Sequence, residues 1–156
     1  MCRVTKYKTK LTEEGRAVLT KELSVNCPTV DRVISSTDKA DRVAREFLRM
    51  HEEPEEYVYM LCLNNRNVLT SVIEISHGTV NSSLVNPREV FQKALLANAV
   101  SIILIHNHPS GDTNPSPEDL KVTKRVREAG EVVGVEVLDH IIVGRTYYSF
   151  KAHGQL

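Results

Sequence analysis

The chain has 156 residues, and one domain of this size can bury about 70% of its unfolded surface without disulfides. Basic and acidic residues number 20 each, so the formal net charge is zero, which gives no electrostatic case for binding nucleic acid. Tryptophan is absent and aromatic residues make up 5% of the chain, which argues against a surface that stacks on bases.

The cysteines and the lengths of the apolar stretches indicate the cellular compartment of the protein. Cys2, Cys27 and Cys62 are far apart and form no CxxC pair, which predicts free thiols in a reducing environment. No apolar core follows the basic N-terminal residues, and no apolar stretch approaches the ~20 residues of a membrane span. We therefore expect a soluble, cytoplasmic protein.

Residues 1–29 are predicted to form an N-terminal extension. Residues 1–10 are basic and rich in threonine, which fits either a frayed tail or an edge strand. From Leu11 to Val25 a helical pattern predicts a helix with Thr12 as its N-cap, although Gly15 weakens it. The predicted helix is broken at Asn26-Cys27-Pro28.

Residues 30–154 alternate helix and strand patterns, which predicts an α/β domain with a mixed sheet flanked by helices. Caps and turn residues mark most of the boundaries, with Gly130 as a C-cap. The predicted elements are a helix over 36–51, a strand over 57–63, a turn over 64–67, a strand over 68–76, a helix from 86, a strand over 100–105, a helix over 116–130, and strands over 131–143 and 147–150.

The most informative stretch is VSIILIHNHPSGDTNPSPED, residues 100–119. Its apolar opening, dense in β-branched residues, predicts a strand that is buried on both faces. His106 and His108 come at the end of this strand and, being two apart, share one face. Ser116 as N-cap, with a proline after it, predicts a helix start, so the turn between folds Asp119 back over the strand end.

Two imidazoles and a carboxylate that converge at a strand end suit Zn²⁺, with a fourth position open as catalytic zinc requires. A second interpretation needs no metal, because Ser116 and Asp119 also fit a capping box. The two interpretations are compatible, since the two oxygens of a carboxylate can serve different partners. The sequence therefore predicts His106, His108 and Asp119 as zinc ligands.

The spacing His106-x-His108, seven residues, Ser116, two residues, Asp119 resembles the JAMM motif of the JAB/MPN metallopeptidases. The segment HNHPSGD followed by PSPED is similar to the RadC family in particular. The likeness spans residues 30–154. It includes three further segments: Gly78-Thr79, Pro87-Arg88-Glu89-Val90-Phe91 and Leu138-Asp139-His140-Ile141-Ile142.

This resemblance implies the JAB/MPN fold, which is similar in outline to the cytidine deaminases. It also implies a zinc-dependent metallohydrolase of the JAMM type that cleaves a peptide or isopeptide bond with a zinc-activated water. Longer RadC-like members carry an N-terminal helix-hairpin-helix region. We expect this chain to be a short form without it, so DNA binding is not carried over from the family.

JAMM enzymes use a glutamate near the start of an early strand as the general base. By resemblance the match is Glu56, directly before the strand over 57–63, with Glu55 or Glu53 as alternatives if the register shifts. Acids around a proline are also common at solvated helix ends. The resemblance further implies that Ser116 donates a hydrogen bond to the developing oxyanion, a role that competes with that of a simple N-cap.

Two other polar positions near the motif have predicted roles. Asn107 points away from the histidines and is interpreted as structural. His140 lies in an apolar strand and is typical of a satisfied core histidine, although Asp139 and His140 could also support the ligands.

Three functions are compatible with these observations. The first is the zinc hydrolase, acting on an unidentified peptide or protein, with no membrane partner. The second is a DNA repair-associated factor or metal-dependent nuclease, against which the neutral charge argues. The third is a non-catalytic JAB scaffold for protein interaction. A zinc deaminase is excluded, because no Pro-Cys-x-x-Cys follows the histidines.

Overall fold

The computed structural model describes residues 2–78 and 85–156, which form a mixed sheet with helices on both faces. This confirms the predicted α/β class. The strands are β1 (Cys2–Leu11), β2 (Ala17–Cys27), β3 (Glu56–Leu63), β4 (Leu69–Gly78), β5 (Ser101–Asn107), β6 (Glu136–Val143) and β7 (Tyr147–Ser149). The α-helices are α1 (Thr37–Arg42), α2 (Pro87–Leu96) and α3 (Pro117–Val133).

The seven described strands have the order β2-β1-β4-β3-β5-β6-β7. β5 is antiparallel to β3 and parallel to β6, and α3 provides the crossover that a parallel pair requires. All seven residues of β5 are buried. The strand that ends in the histidine motif therefore lies inside the sheet, with a neighbour on each side.

The sheet separates two apolar cores. On one face, α1 contributes Ala40, which packs in a cluster with Ile105 and Val143. On the other face, α2 and α3 cover a cluster that includes Leu104 and Val126. Because side chains alternate along a strand, the even-numbered residues of β5 face α3, and His106 is directed towards that helix.

The predicted helix over residues 11–25 is wrong. These residues turn at Gly15, which has a φ of 75°, and then form β2, which pairs with β1 along its whole length. β2 is largely exposed and gives no clean apolar period, so strand pairing decides its structure. β1 is a strand but not an edge, because it also pairs with β4 in parallel.

Two helix boundaries differ from the prediction over 36–51 and 116–130. The first helix is α-helical only to Arg42 and continues as a π-helical turn over Val43–Phe47 and a 3₁₀ turn over Met50–Glu52. α3 runs beyond Gly130 to a C-cap at Gly134, whose φ is 82°. Gly130 serves packing instead, since a Cβ there would lie 2.6 Å from the carbonyl oxygen of Val135.

The other predicted elements are confirmed, although β6 begins at Glu136 because α3 is longer. Asn86 caps α2 by accepting a hydrogen bond from the backbone N–H of Arg88. Of the family-like pair Gly78-Thr79, Thr79 lies outside the described residues. Among the helices of the described ranges, each is too short or too polar to cross a membrane.

Candidate metal centre

Three predicted ligand side chains meet at the end of β5. His106 is the penultimate residue of that strand, His108 follows it, and Asp119 lies in the first turn of α3. His106 and Asp119 are buried and His108 is half-buried. Within residues 2–78 and 85–156 this is the one group of three potential metal-ligating side chains, with ligand atoms within 4.8 Å of one another.

The separations between these atoms fit a small tetrahedral cation. The Nε2 atoms of His106 and His108 are 3.0 Å apart. Oδ1 of Asp119 is 3.3 Å from Nε2 of His106, and Oδ2 is 3.4 Å from Nε2 of His108. Ligand atoms ~2.0–2.2 Å from a tetrahedral zinc ion would be about 3.3–3.6 Å apart, so little movement would be needed.

The loop after β5 orients the His108 ring. Nδ1 of His108 lies 2.7 Å from the carbonyl oxygen of Asp112. Because a carbonyl only accepts, Nδ1 carries a proton, which leaves Nε2 as the nitrogen that can bind a cation. The loop itself packs on the turn between β6 and β7. A Cβ at Gly144 would lie 2.5 Å from the carbonyl oxygen of Gly111, so this approach requires glycine.

Asp119 has two roles at once. Its Oδ2 accepts a hydrogen bond from the backbone N–H of Ser116 at 2.7 Å, and its own N–H donates to Oγ of Ser116 at 3.1 Å. The predicted capping box is therefore present. Oδ1 faces His106, so the cap leaves one oxygen directed at the histidines.

The surroundings of Asp119 favour its ionised form, and they also favour a positive charge on the neighbouring ring of His108. Burial alone would raise the pKa of Asp119, but the neighbouring rings of His106 and His108 and the backbone N–H of Ser116 hold it well below its usual range. The same hydrogen bond to Asp119 raises the pKa of His108 despite partial burial, aided by the carbonyl of Asp112. A divalent cation could replace the proton on His108 and find a negative ligand already in place.

Glu56 and Ser116 line the same cavity as the cluster. This cavity, of about 340 Å³, is bounded by Glu56, His108, Ser116 and Asp119 together with the loop after His108. Val58 pairs with His106 across β3 and β5, so Glu56, two residues earlier, continues that register towards His108. Both residues that the resemblance assigns to catalysis are thus close to the cluster.

The alternative glutamates lie elsewhere. Glu55 is exposed and contacts the ring of His77. Glu53 lines a different cavity, which it shares with Lys6 and Tyr57. Neither lines the cavity at the metal cluster, whereas Glu56 does.

Asn107 connects the ligand strand to the strand of Glu56. Its Oδ1 accepts a hydrogen bond from the backbone N–H of Tyr57 at 2.7 Å, and its Nδ2 donates to the carbonyl oxygen of Glu55 at 2.8 Å. These two bonds flank Glu56 on either side. Asn107 is structural, as predicted, but the sequence did not reveal that it holds the backbone of the candidate base.

His140 and Thr123 lie behind His106. Nε2 of His140 is 2.8 Å from Nδ1 of His106, and Nδ1 of His140 is 2.6 Å from Oγ1 of Thr123. Burial holds the pKa of His140 well below its usual value, so the ring is neutral. Sequence reasoning missed Thr123, although its position four residues after Asp119 puts both on one face of α3.

Asp139 anchors the other side of β6. Its carboxylate accepts hydrogen bonds from the hydroxyls of Thr37 and Ser149 and from the backbone N–H groups of His140 and Lys151. It contacts none of the cluster residues directly. It supports the centre by fixing the strand from which His140 projects.

Comparisons with known proteins agree with this geometry. The family model described as RadC-like JAB domain matches residues 34–155. A UPF0758 protein of Rubrobacter xylanophilus is 47% identical over 138 residues, which cover 88% of this chain and 60% of that protein. A UPF0758 protein of Clostridium acetobutylicum is 45% identical over 124 residues, which cover 79% of this chain and 53% of that protein.

The chain thus spans between half and three-fifths of the length of these curated relatives. The family match covers the described strands β3 to β7 and all three α-helices. It also includes the cluster of His106, His108 and Asp119. The chain belongs to the RadC-like JAB domain family.

Proposed function

We propose that this protein is a zinc-dependent hydrolase of the JAMM type that cleaves a peptide or isopeptide bond. One observation carries the proposal: a buried cluster of two imidazoles and a carboxylate opens onto a cavity that a glutamate and a serine also line. This is the set of groups that metal-assisted hydrolysis requires, namely ligands, a base and a hydrogen-bond donor.

The donor set favours zinc over harder cations. Two nitrogen donors and one carboxylate are typical of zinc sites, whereas Mg²⁺ and Ca²⁺ prefer sites made of oxygen alone. His106, His108 and Asp119 would hold the ion. When bound, zinc would supply a Lewis acid that polarises a carbonyl and acidifies water.

Glu56 is the proposed general base. It would take the proton of the attacking water and return it to the leaving amine, a task worth about 10²–10⁴ in rate. The backbone on either side of it is held by Asn107, which accepts a hydrogen bond from the N–H of Tyr57 and donates one to the carbonyl oxygen of Glu55. This restricts where the carboxylate can move. Half-burial at the cavity keeps it within reach of a substrate at the cluster.

Ser116 is the proposed hydrogen-bond donor to the oxyanion. Its Oγ accepts from the backbone N–H of Asp119 at 3.1 Å as part of the helix cap. A hydroxyl can accept and donate at once, so the cap leaves the proton of Ser116 available to a substrate oxygen in the cavity. The cap and the catalytic role therefore do not compete.

The proposed location is the reducing cytoplasm. The three cysteines Cys2, Cys27 and Cys62 are free and buried, which suits a compartment where disulfides are rare. The proposed partner is a peptide or protein substrate, and the balanced charge offers no general attraction to nucleic acid.

The test begins with the zinc content of the purified protein and a screen for hydrolysis of a peptide and isopeptide library. Glu56→Gln should keep the zinc and lower the rate by about 10²–10⁴. Glu55→Gln is the matched control, because this neighbouring glutamate contacts His77 instead of the cavity; its rate should be unchanged.

Three results would count against the proposal. A zinc-loaded protein that cleaves DNA but no peptide would favour the nuclease. A zinc-loaded protein that hydrolyses nothing would favour the scaffold. Equal loss of rate in the two glutamine variants would remove Glu56 from the mechanism.

A further inference from the structure

A chain of three short polar contacts links two of the candidate ligands behind the cluster. It runs from Nδ1 of His106 to Nε2 of His140 at 2.8 Å, from Nδ1 of His140 to Oγ1 of Thr123 at 2.6 Å, and from that oxygen to the carbonyl oxygen of Asp119 at 2.7 Å. All four residues are buried, so solvent does not compete for these contacts.

The donor and acceptor in each of these contacts follow from the last group in the series, the carbonyl oxygen of Asp119. The carbonyl oxygen of Asp119 can only accept, so the single hydroxyl proton of Thr123 is donated to it. Thr123 must then accept from His140, which places that ring's proton on Nδ1. Both nitrogens of the buried His140 ring are engaged, by Thr123 and by His106, and neither partner is a carboxylate that would hold a second proton on the ring. Nε2 of His140 is therefore an acceptor, and Nδ1 of His106 is the donor to it.

We propose that Thr123 and His140 are positioning residues that fix His106 in its Nδ1–H tautomer, so that its Nε2 lone pair faces the metal. The inference rests on the proposed metal centre. Metal-ligating histidines usually donate a hydrogen bond from the N–H of their second ring nitrogen to a carbonyl, a carboxylate or water. Here the partner is another neutral histidine, which acts as acceptor only because Thr123 holds its proton on the far side.

The opposite direction would disable His106 as a ligand. If His140 donated from Nε2, His106 would carry its proton on the nitrogen that faces Asp119 and would have no lone pair for a cation. Thr123 would then donate to His140, and its oxygen would face the carbonyl oxygen of Asp119 at 2.7 Å without a proton between them. Two acceptors at that distance repel each other.

The environment of His140 also fixes the orientation of its ring. The ring stacks on Phe150, with centroids 4.8 Å apart and planes 11° from parallel. It is 2% exposed. The acceptor nitrogen therefore stays directed at His106, and the ligand ring is held by a partner that never touches the metal.

The direct test is nuclear magnetic resonance of metal-free protein with ¹⁵N-labelled histidine, in mildly alkaline buffer. We expect a ¹⁵N–¹⁵N coupling across the hydrogen bond between His106 and His140, with the proton attached to Nδ1 of His106. A proton attached to Nε2 of His140, or no coupling, would overturn the proposal.

Thr123 allows an indirect test, because its hydroxyl bonds to His140 and to the carbonyl oxygen of Asp119, and neither of these bonds involves a ligand ring. Thr123→Val removes the hydroxyl and keeps the shape, whereas Thr123→Ser keeps the hydroxyl. The valine variant should populate both tautomers of His106 and bind zinc roughly 10-fold to 100-fold more weakly; the serine variant should behave like the wild type. A valine variant with altered stability but unchanged tautomer and zinc affinity would reduce Thr123 to a structural residue and refute the proposal.

Two substitutions at His140 separate its hydrogen bond from its packing. Both His140→Gln and His140→Met lose the ring that stacks on Phe150, but only glutamine has an oxygen that can accept from His106. Glutamine should keep the Nδ1–H tautomer and most of the zinc affinity, and methionine should lose both. Equal behaviour of the two variants would contradict the proposal.

The two proposals fail separately. A wild-type protein with the expected tautomer that binds no zinc would refute the metal centre and leave the tautomer assignment supported. A wild-type protein that binds zinc while the proton resides on His140 in the metal-free state would refute the positioning chain alone.

Discussion

Two of the places where a histidine meets a carboxylate among the described residues differ in burial and in surroundings. At the cluster of His106, His108 and Asp119, the side chains are 1%, 15% and 3% exposed. In the pair of His77 and Glu55, the side chains are 45% and 58% exposed. The first lies at a strand end against a helix, whereas the second lies at the open ends of β3 and β4.

The two clusters also differ in the number of other groups that contact their side chains. Each ring nitrogen of His106 has a contact within the cluster or behind it, and Asp119 is also bound by the helix cap. His77 contacts Glu55 and stacks on Tyr57. The groups of the buried cluster are therefore held by more hydrogen-bond partners than those of the exposed pair.

The largest expected effect comes from the charge of Asp119. Asp119→Asn keeps an oxygen for the cap but removes the anionic ligand, so zinc affinity should fall more than ~100-fold, beyond the usual loss from an outer hydrogen-bond partner. Isothermal titration with zinc measures this. The matched Glu55→Gln variant should bind zinc as the wild type does; similar weakening in both would erase the distinction between the clusters.

Zinc should stabilise the protein through the buried cluster alone. At zinc concentrations about 100 times Kd the gain is ~2.7 kcal/mol, which corresponds to a rise in Tm of roughly 5–10 °C. Thermal melting with and without a chelator measures it. The rise should persist in a His77→Ala variant and vanish in Asp119→Asn; a rise retained in the latter would place the zinc elsewhere.

The two hydrogen bonds of Asn107 that flank Glu56 can be removed without mutating a candidate metal ligand. Asn107→Ala leaves the N–H of Tyr57 and the carbonyl of Glu55 without their partner, at a cost of ~1–3 kcal/mol in unfolding free energy if both stay buried. We expect kcat to fall while zinc affinity is retained, because the proposed base Glu56 would move and the proposed ligands would not. Unchanged kcat with lowered stability would limit Asn107 to the fold.

The pH dependence should differ between the metal-free and the zinc-bound protein. Without metal, the raised pKa of His108 adds stability below about pH 6.5 that is lost as the pH rises through its folded pKa. The lowered pKa of Asp119 adds stability above about pH 3.9 that is lost as the pH falls.

Zinc should reverse this trend, because its binding would displace the proton of His108. Below the folded pKa of that ring, zinc stabilisation should weaken by about 1.4 kcal/mol per pH unit for each proton displaced. The gap between the melting temperatures with and without zinc should therefore widen from mildly acidic to neutral pH. A constant gap would mean that no proton leaves on binding.

The smallest effect belongs to the exposed pair. His77→Ala should change the unfolding free energy by less than about 0.5 kcal/mol, since exposed ion pairs contribute little. Urea denaturation measures it. A loss of several kcal/mol would mean that stacking on Tyr57 stabilises the end of β3 far more than exposure suggests.

Most of residues 30–154 could be predicted because their signals are local. The apolar run over 100–105 predicted β5, and an asparagine or serine followed by proline predicted the starts of α2 and α3. The same alternation that defines a strand placed His106 and His108 on one face. The three candidate ligands therefore follow from spacing within twenty residues.

The N-terminal hairpin could not be predicted in this way. β2 exposes most of its residues, so it carries no strong period, and its structure depends on pairing with β1. Strand propensity measures this kind of pairing more than any property of the segment itself. The weak spacing of Leu19 and Leu23 therefore favoured a helix that the sheet overrides.

The hydrogen-bonded contacts of His140 and Thr123 behind His106 could not be predicted from the sequence either. His140 reaches His106 because β6 pairs with β5 in a particular register, with a shift between Ile102 and Ile103. Thr123 joins them because α3 packs across both strands. Neither fact follows from spacing, so the sequence left the role of His140 open between core packing and support.

The position of β5 between two neighbours has a kinetic consequence. The strand is hydrogen-bonded to β3 on one side and to β6 on the other, so we expect its amides to exchange with solvent only on global unfolding. Residues 108–116 form a surface loop that is anchored at Gly111 to Arg145. Because His108 is the most exposed of the three candidate ligands and hydrogen-bonds to this loop, the rate at which a cation could enter or leave the cluster would depend on the opening of the loop.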